Sequence, residues 1–405
     1  MKKFLYSFVL LAVIILSGCS KEEKETEFIR VTSGLTYSVD AGGGTVDITV
    51  ETNTNYFVSI PDDAKSWISA VESRATIQDV FSLNVTANNS ESRTAKISLK
   101  NKSGEALANI QISQEAKPNT DWIDSEFATI LEDRGYIKDA STVTTKEVEQ
   151  LTRIDVSGTD YSNRGTLKSM KGLEYFINLE ELKCHSNLLT ELNVSTLKKL
   201  KVLECHENYL TSLKLTSNTN IEYLKCYTNE IIELDLKNQK LLKELDCSNN
   251  RFSTLNVEEQ KELTNLTCGF LKLTSLDVTK NTALKSLHCQ DNSLTSLDVS
   301  QNTSLTSLHC GGNKLTSLDV AKNTELRDLR SGYCQLTTLD VSMNTKLVSL
   351  DCRDNKLTLL DVSKNTLLTE LWCDKMPTLQ TLYIKVGCVI SKLVKDSNTE
   401  IKYID

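Results

Sequence analysis

A period of 21 residues, running from residue 179 to residue 383, constrains this chain more than any other feature. Cysteine stands at Cys184, Cys205, Cys226, Cys247, Cys268, Cys289 and Cys310, gives way to Ser331, and returns at Cys352 and Cys373. These ten copies share one register, with leucine two residues earlier in each, from Leu182 to Leu371. Three residues after the cysteine stands asparagine in seven copies, the exceptions being Leu271, Cys334 and Met376. Variable and apolar positions alternate around each cysteine, which is the period of a strand with one buried face. A second asparagine column recurs at Asn218, Asn281, Asn302, Asn323, Asn344 and Asn365. Amides at fixed points of tight turns can satisfy backbone groups, so both columns predict ladders. One copy cannot fold alone. Its apolar side chains, about six of them, contribute roughly 1.5–3 kcal/mol each when buried, while ordering the backbone costs on the order of 20–40 kcal/mol. Stacking covers both flanks of every copy, so the repeats must form a solenoid.

The pattern matches the leucine-rich repeat, with cysteine in the third apolar column. Residues 117–178 are expected to hold a linker, a helical cap and degenerate first rungs. Within them, residues 121–150 predict helix, with Ile123, Phe127, Ile130 and Leu131 on one face. The segments from Leu151 to Gly158 and from Gly172 to Leu179 resemble the N-terminal cap and first rungs of internalin-like repeat proteins. Solenoid repeats are expected over residues 179–383. One residue is inserted after Cys373, the pattern dissolves by Ile384, and residues 384–405 are expected to close the C-terminal end.

Twelve cysteines invite a disulfide reading, but the register opposes it. Like side chains on parallel rungs point the same way about 4.8 Å apart, farther than the roughly 3.5–4.5 Å between the Cβ atoms of a disulfide. The column is read as buried thiols acting as small apolar residues. All four histidines flank it, with His185 and His206 just after the cysteine and His288 and His309 just before. Each pair is expected to stack on the exposed face. Such imidazoles could share a metal, but duplication of neighbouring repeats explains them, and no metal or cofactor is expected. The segment from Asp139 to Glu147 lacks the alternating acidic ligands and glycine of a calcium loop.

The N-terminus is of another kind. Lys2 and Lys3 precede an apolar run from Phe4 to Leu16 and the small residues Ser17 and Gly18, the layout of a secretory signal over residues 1–18. Leu16-Ser17-Gly18-Cys19 resembles the bacterial lipobox, which implies cleavage before Cys19 and lipidation of its thiol. Ser20 to Glu25, within a tether over residues 19–27, resembles the acidic export signal of Bacteroidota surface lipoproteins. An outer-membrane lipoprotein exposed on the cell surface is what the two resemblances imply.

Residues 28–116 alternate with period two, as in Thr45 to Val50, Phe81 to Val85 and Ala95 to Leu99, between turn signals at Gly42-Gly43-Gly44, Pro61-Asp62-Asp63 and Lys102-Ser103-Gly104. Seven or eight short strands predict an Ig-like β-sandwich. The order of Ala41 to Thr45, Asn55 to Val58, Trp67-Ile68, Asn88 to Arg93 and Gln114 resembles the BACON domain, which implies either carbohydrate or mucin binding or a spacer. Trp67 separates the two: a sugar platform would expose it, a packed core would bury it.

The fold expected is therefore mostly β, a sandwich followed by a 21-residue-period solenoid with a short helical cap. The net charge of -8 argues against nucleic acid, which calls for clustered Lys and Arg. No nucleophile elbow, phosphate loop or zinc-protease helix occurs, so catalysis is not expected. Outward positions instead carry Tyr223, Tyr227, Phe270, Arg330, Tyr333, Arg353 and Trp372. Repeat proteins bind through such variable columns, and aromatic and arginine side chains anchor interfaces. These residues, Phe270 excepted, are the candidate ligand site. A protein partner is expected there, with a host or cell-surface glycan as the alternative and the N-terminal lipid as the membrane contact.

Overall fold

The computed structural model describes residues 26–70, 78–88, 91–116, 122–159, 162 and 164–405. The signal segment and Cys19 lie outside the described residues. The chain divides into two compact units, Met1–Lys117 and Pro118–Asp405.

The first unit is built from two four-stranded sheets. One is antiparallel, in the order β1 (Ile29–Val31), β3 (Gly44–Thr52), β6 (Gln78–Val85), β5 (Ile68–Ala70). The other runs β2 (Thr36–Val39), β8 (Ala106–Gln114), β7 (Arg93–Asn101), β4 (Tyr56–Ser59), with β2 parallel to β8. Alternation points Ile48, Val50, Phe81 and Leu83 from one sheet and Ile97, Leu99, Ile110 and Ile112 from the other into one core, as in a sandwich.

The second unit opens with α1 (Ser125–Asp133) and the single turn α2 (Thr145–Val148). The Asp124 carboxylate accepts from the amides of Glu126 and Phe127, and the Thr144 hydroxyl accepts from that of Glu147, so each start is capped by a side chain. The continuous helix expected over residues 121–150 is thus two short pieces. Gly135, at φ +74°, ends the first, and a turn in which Asp139 accepts from the Ser141 amide separates them.

Twelve parallel strands then form one sheet, from Arg153–Asp155 to Lys392–Lys395. From Glu181–Lys183 to Glu370–Cys373 neighbours pair a whole repeat apart, so Leu182 lies beside Leu203 and Leu203 beside Leu224. In the repeat strands only the central leucine turns inward, and the cysteine that follows is fully buried. Two residues past the cysteine, the backbone enters the left-handed region in all ten rungs, from Ser186 (φ +53°) to Lys375 (φ +58°). Only Gly312 in this column is glycine. Side chains rarely adopt that conformation, and the asparagine next in sequence compensates for it. Asn208 donates to the carbonyls of Cys205 and of Cys184 one rung back, and its Oδ1 accepts from the Leu189 amide at 3.0 Å.

The second ladder contains more than asparagine. Asn218 donates to Val194 and Leu197, and Gln239 and Gln260 continue the column by donating to Leu215 and Leu236, both at 2.7 Å. The leucine–cysteine signature fades after Cys373, but the sheets do not. Lys392–Lys395 still pairs with Glu370–Cys373, and Thr381–Lys385 joins Leu359–Asp361 and Glu400–Ile404 in a second parallel sheet. Leu393 and Ile401 pack against the core there in place of leucine and cysteine columns.

Candidate functional site

The open face of the long sheet presents four columns: the first and third residues of each strand, the residue after the cysteine, and the left-handed residue. Whole-repeat pairing sets like positions side by side, so side chains of one column touch across rungs.

The column after the cysteine begins with three rings. His185 stacks on His206 with centroids 4.3 Å apart, and His206 on Tyr227 at 4.2 Å, with interplanar angles of 11° and 17°. His288 and His309, in the third-residue column, stack at 3.9 Å and 3°. The histidines are less exposed than the sequence suggests, because rings one rung apart cover each other's faces; His206 is only 7% exposed. Burial, with a neighbouring imidazole, pushes His206 down to about 3 and His288 down to about 4. No cluster of three or more His, Cys, Asp or Glu side chains that could hold a metal occurs among the described residues.

The candidate site residues fall into two groups. Tyr223 and Tyr227 share one rung, Tyr223 being 41% exposed. Arg330, Tyr333, Arg353 and Trp372 occupy consecutive rungs farther along. Arg330 pairs with Asp328 at 3.2 Å, and Asp328 also contacts His309 Nε2 at 2.7 Å. Burial raises the Asp328 carboxyl, but hydrogen bonds from His309 and Arg330 outweigh it and hold it below the usual range. Arg353 bonds Asp351 at 2.9 Å and lies over Trp372 at 5.5 Å, while Lys392 covers the same ring at 4.4 Å. Tyr333 sits in the left-handed corner rather than on a strand, and the Lys375 ammonium donates to its phenol oxygen at 3.0 Å. Asp328, Lys375 and Lys392 were not singled out from sequence, although the 21-residue register aligns the first two with the site columns.

The thiols lie beneath this face. Among the described residues eleven cysteines are free; ten are buried and Cys388 is half-buried. Burial raises the column thiols, that of Cys268 to about 12. In the first unit, Trp67 is 5% exposed and lies beneath Arg93, whose guanidinium is 4.3 Å from the ring centroid.

No protein-family model matches the chain, and it has no match among curated proteins. Solved structures do match. The functional domain of InlJ from Listeria monocytogenes, which includes a cysteine ladder, is 30% identical over 70% of this chain and 72% of its own, with a TM-score of 0.56. An internalin, InlF, from the same organism is 23% identical over 69% of this chain and 94% of its own, at 0.53. The Leptospira interrogans leucine-rich-repeat protein LIC12759 is 21% identical over 63% of this chain and 73% of its own, at 0.52. By its repeat, its register and its similarity to the InlJ domain, this chain belongs to the internalin-like leucine-rich-repeat family.

Proposed function

We propose that this protein is a non-catalytic adhesin or adaptor that binds a protein partner on the open face of its solenoid. The alignment of Tyr223 and Tyr227 on one rung, and of Arg330, Tyr333, Arg353 and Trp372 on successive rungs, carries this reading. Aromatic and arginine side chains on a preorganised sheet give large contact area at little conformational cost. Ten rungs at about 4.8 Å span roughly 50 Å, so an extended partner can engage both groups.

The reading extends to the rest of the chain. Cys19 carries lipid in an outer-membrane lipoprotein exposed on the cell surface, and the BACON-like unit acts as a spacer. Buried Trp67 disfavours the alternative of glycan binding through that unit. The test is capture of surface proteins by the full chain, followed by Tyr227→Ala and Trp372→Ala. Each substitution is expected to weaken the captured partner by more than about 1 kcal/mol. If both variants bind like the unmodified protein, the solenoid face is not the reader.

A further inference from the structure

The ring stack His185–His206–Tyr227 stops abruptly. The next positions in its column are Ser248 and Gly269, so one face of Tyr227 has no ring against it. Beyond them Gln290 folds back across Gly269, where a Cβ would meet its Cδ and Nε2 at 3.1 Å. Tyr227 and the Gln290 amide are thus about two rungs apart, ~9.5 Å, which is room for one planar group between them. Asp246 stands beside this gap. Its Oδ1 accepts from the amide and hydroxyl of Ser248, and among the described residues no Lys or Arg lies within ion-pair distance of it. Lys225, on the neighbouring strand, is turned to Glu204 at 3.6 Å. Burial raises the Tyr227 phenol most, and the negative charges of Glu207, Asp246 and Glu204 add to it.

We propose that this gap is a subsite for an arginine side chain of the partner protein. The guanidinium would lie flat on the open face of Tyr227 and turn its N–H edge to Asp246. Two properties select it: the flat Tyr227 ring bounds the gap on one side, and the Asp246 carboxylate beside it makes no ion pair among the described residues. An arginine is flat and permanently cationic, whereas a lysine supplies the charge without the plane. The inference rests on the reading of the solenoid face as a protein-binding surface and adds the chemistry of one contact.

The experiment titrates the full chain with N-acetyl-arginine methylamide, following the amide resonances of Ser248 and Gly269. The lysine and citrulline analogues serve as the charged non-planar and planar neutral controls. The arginine analogue is expected to bind in the millimolar range, about 4 kcal/mol, and at least about fivefold more tightly than either control. Asp246→Asn should remove that preference without changing the melting temperature, and Ser248→Trp should block binding by filling the gap. Equal binding of the lysine analogue, no shift at Ser248 and Gly269, or an arginine preference that survives Asp246→Asn would each overturn the proposal. If the slot fails in this way while Trp372→Ala still weakens a captured partner, only the subsite is wrong. If neither aromatic variant affects the partner, the reading of the whole face fails with it.

Discussion

The thiol of Cys334 points to the carbonyl of Cys310 at 3.6 Å, the place taken by an asparagine amide in the neighbouring rungs. In the rung before it, Asn313 donates to Cys289 at 3.0 Å and accepts from Leu294 at 2.9 Å; in the rung after it, Asn355 donates to Ser331 at 3.0 Å and accepts from Leu336 at 2.9 Å. A thiol is a weak donor and a weak acceptor, so this rung is held less firmly. Cys334→Asn should restore both bonds and stabilise the solenoid by about 1 kcal/mol. Denaturant melts of the variant and the unmodified chain would measure the difference; an equal or lower midpoint would contradict the ladder account.

The converse change should be costly. Asn229 is buried, donates to Cys205 and Cys226, and accepts from Leu210. Asn229→Leu leaves the Leu210 amide without an acceptor, while the carbonyls of Cys205 and Cys226 keep their bonds from Asn208 and Asn250, and should destabilise by roughly 1–3 kcal/mol. Hydrogen exchange at Leu210 should quicken, because its amide loses its only acceptor in the ladder.

Acid should weaken the solenoid through His206. Its folded value lies near 3 and its unfolded value near 6.5. Between them the unfolded chain binds the proton and the folded chain does not, so stability falls as pH drops through that window. This residue contributes a slope of at most about 1.4 kcal/mol per pH unit. His206→Phe keeps a ring between His185 and Tyr227 and removes the proton site. Its stability should change less from pH 7 to pH 4 than that of the unmodified chain, and an unchanged difference would count against a buried neutral imidazole.

The buried thiols give a chemical test. Thiol reagent added to the native protein should leave the ladder cysteines intact, with Cys388 reacting first, and denaturation without reductant should release the rest. Recovery of oxidised pairs would refute the free-thiol ladder. Cys268→Asp should destabilise strongly by burying an unpaired charge, whereas Cys268→Val should be mild.

The proposed lipid anchor would rest on the single thiol of Cys19. Mass spectrometry of the mature N-terminus should find acylated Cys19, and Cys19→Ala should release the protein from the membrane fraction. An unacylated start at another residue would end that assignment.

The sequence alone determined the solenoid. Leucine and cysteine recurring in one 21-residue register leave no other way to bury so many short apolar segments, and asparagine after the left-handed corner specifies the turn. The aromatic and arginine positions were legible for the same reason, since a fixed period tells which residues face outward. Tertiary structure alone decided what those residues do to one another. The periodicity places His206 and Tyr227 in one column, but only packing lays the rings flat and withdraws His206 from water. Gln239 and Gln260 escaped the pattern because the ladder asks for an amide at the right reach, not for asparagine by name. The last strands escaped it as well, because inter-rung hydrogen bonds join backbones and continue after the side-chain signature has faded. Trp67 shows the same division: alternation puts it near a sheet, but which neighbour covers it is settled by Arg93, distant in sequence and brought over the ring by the fold.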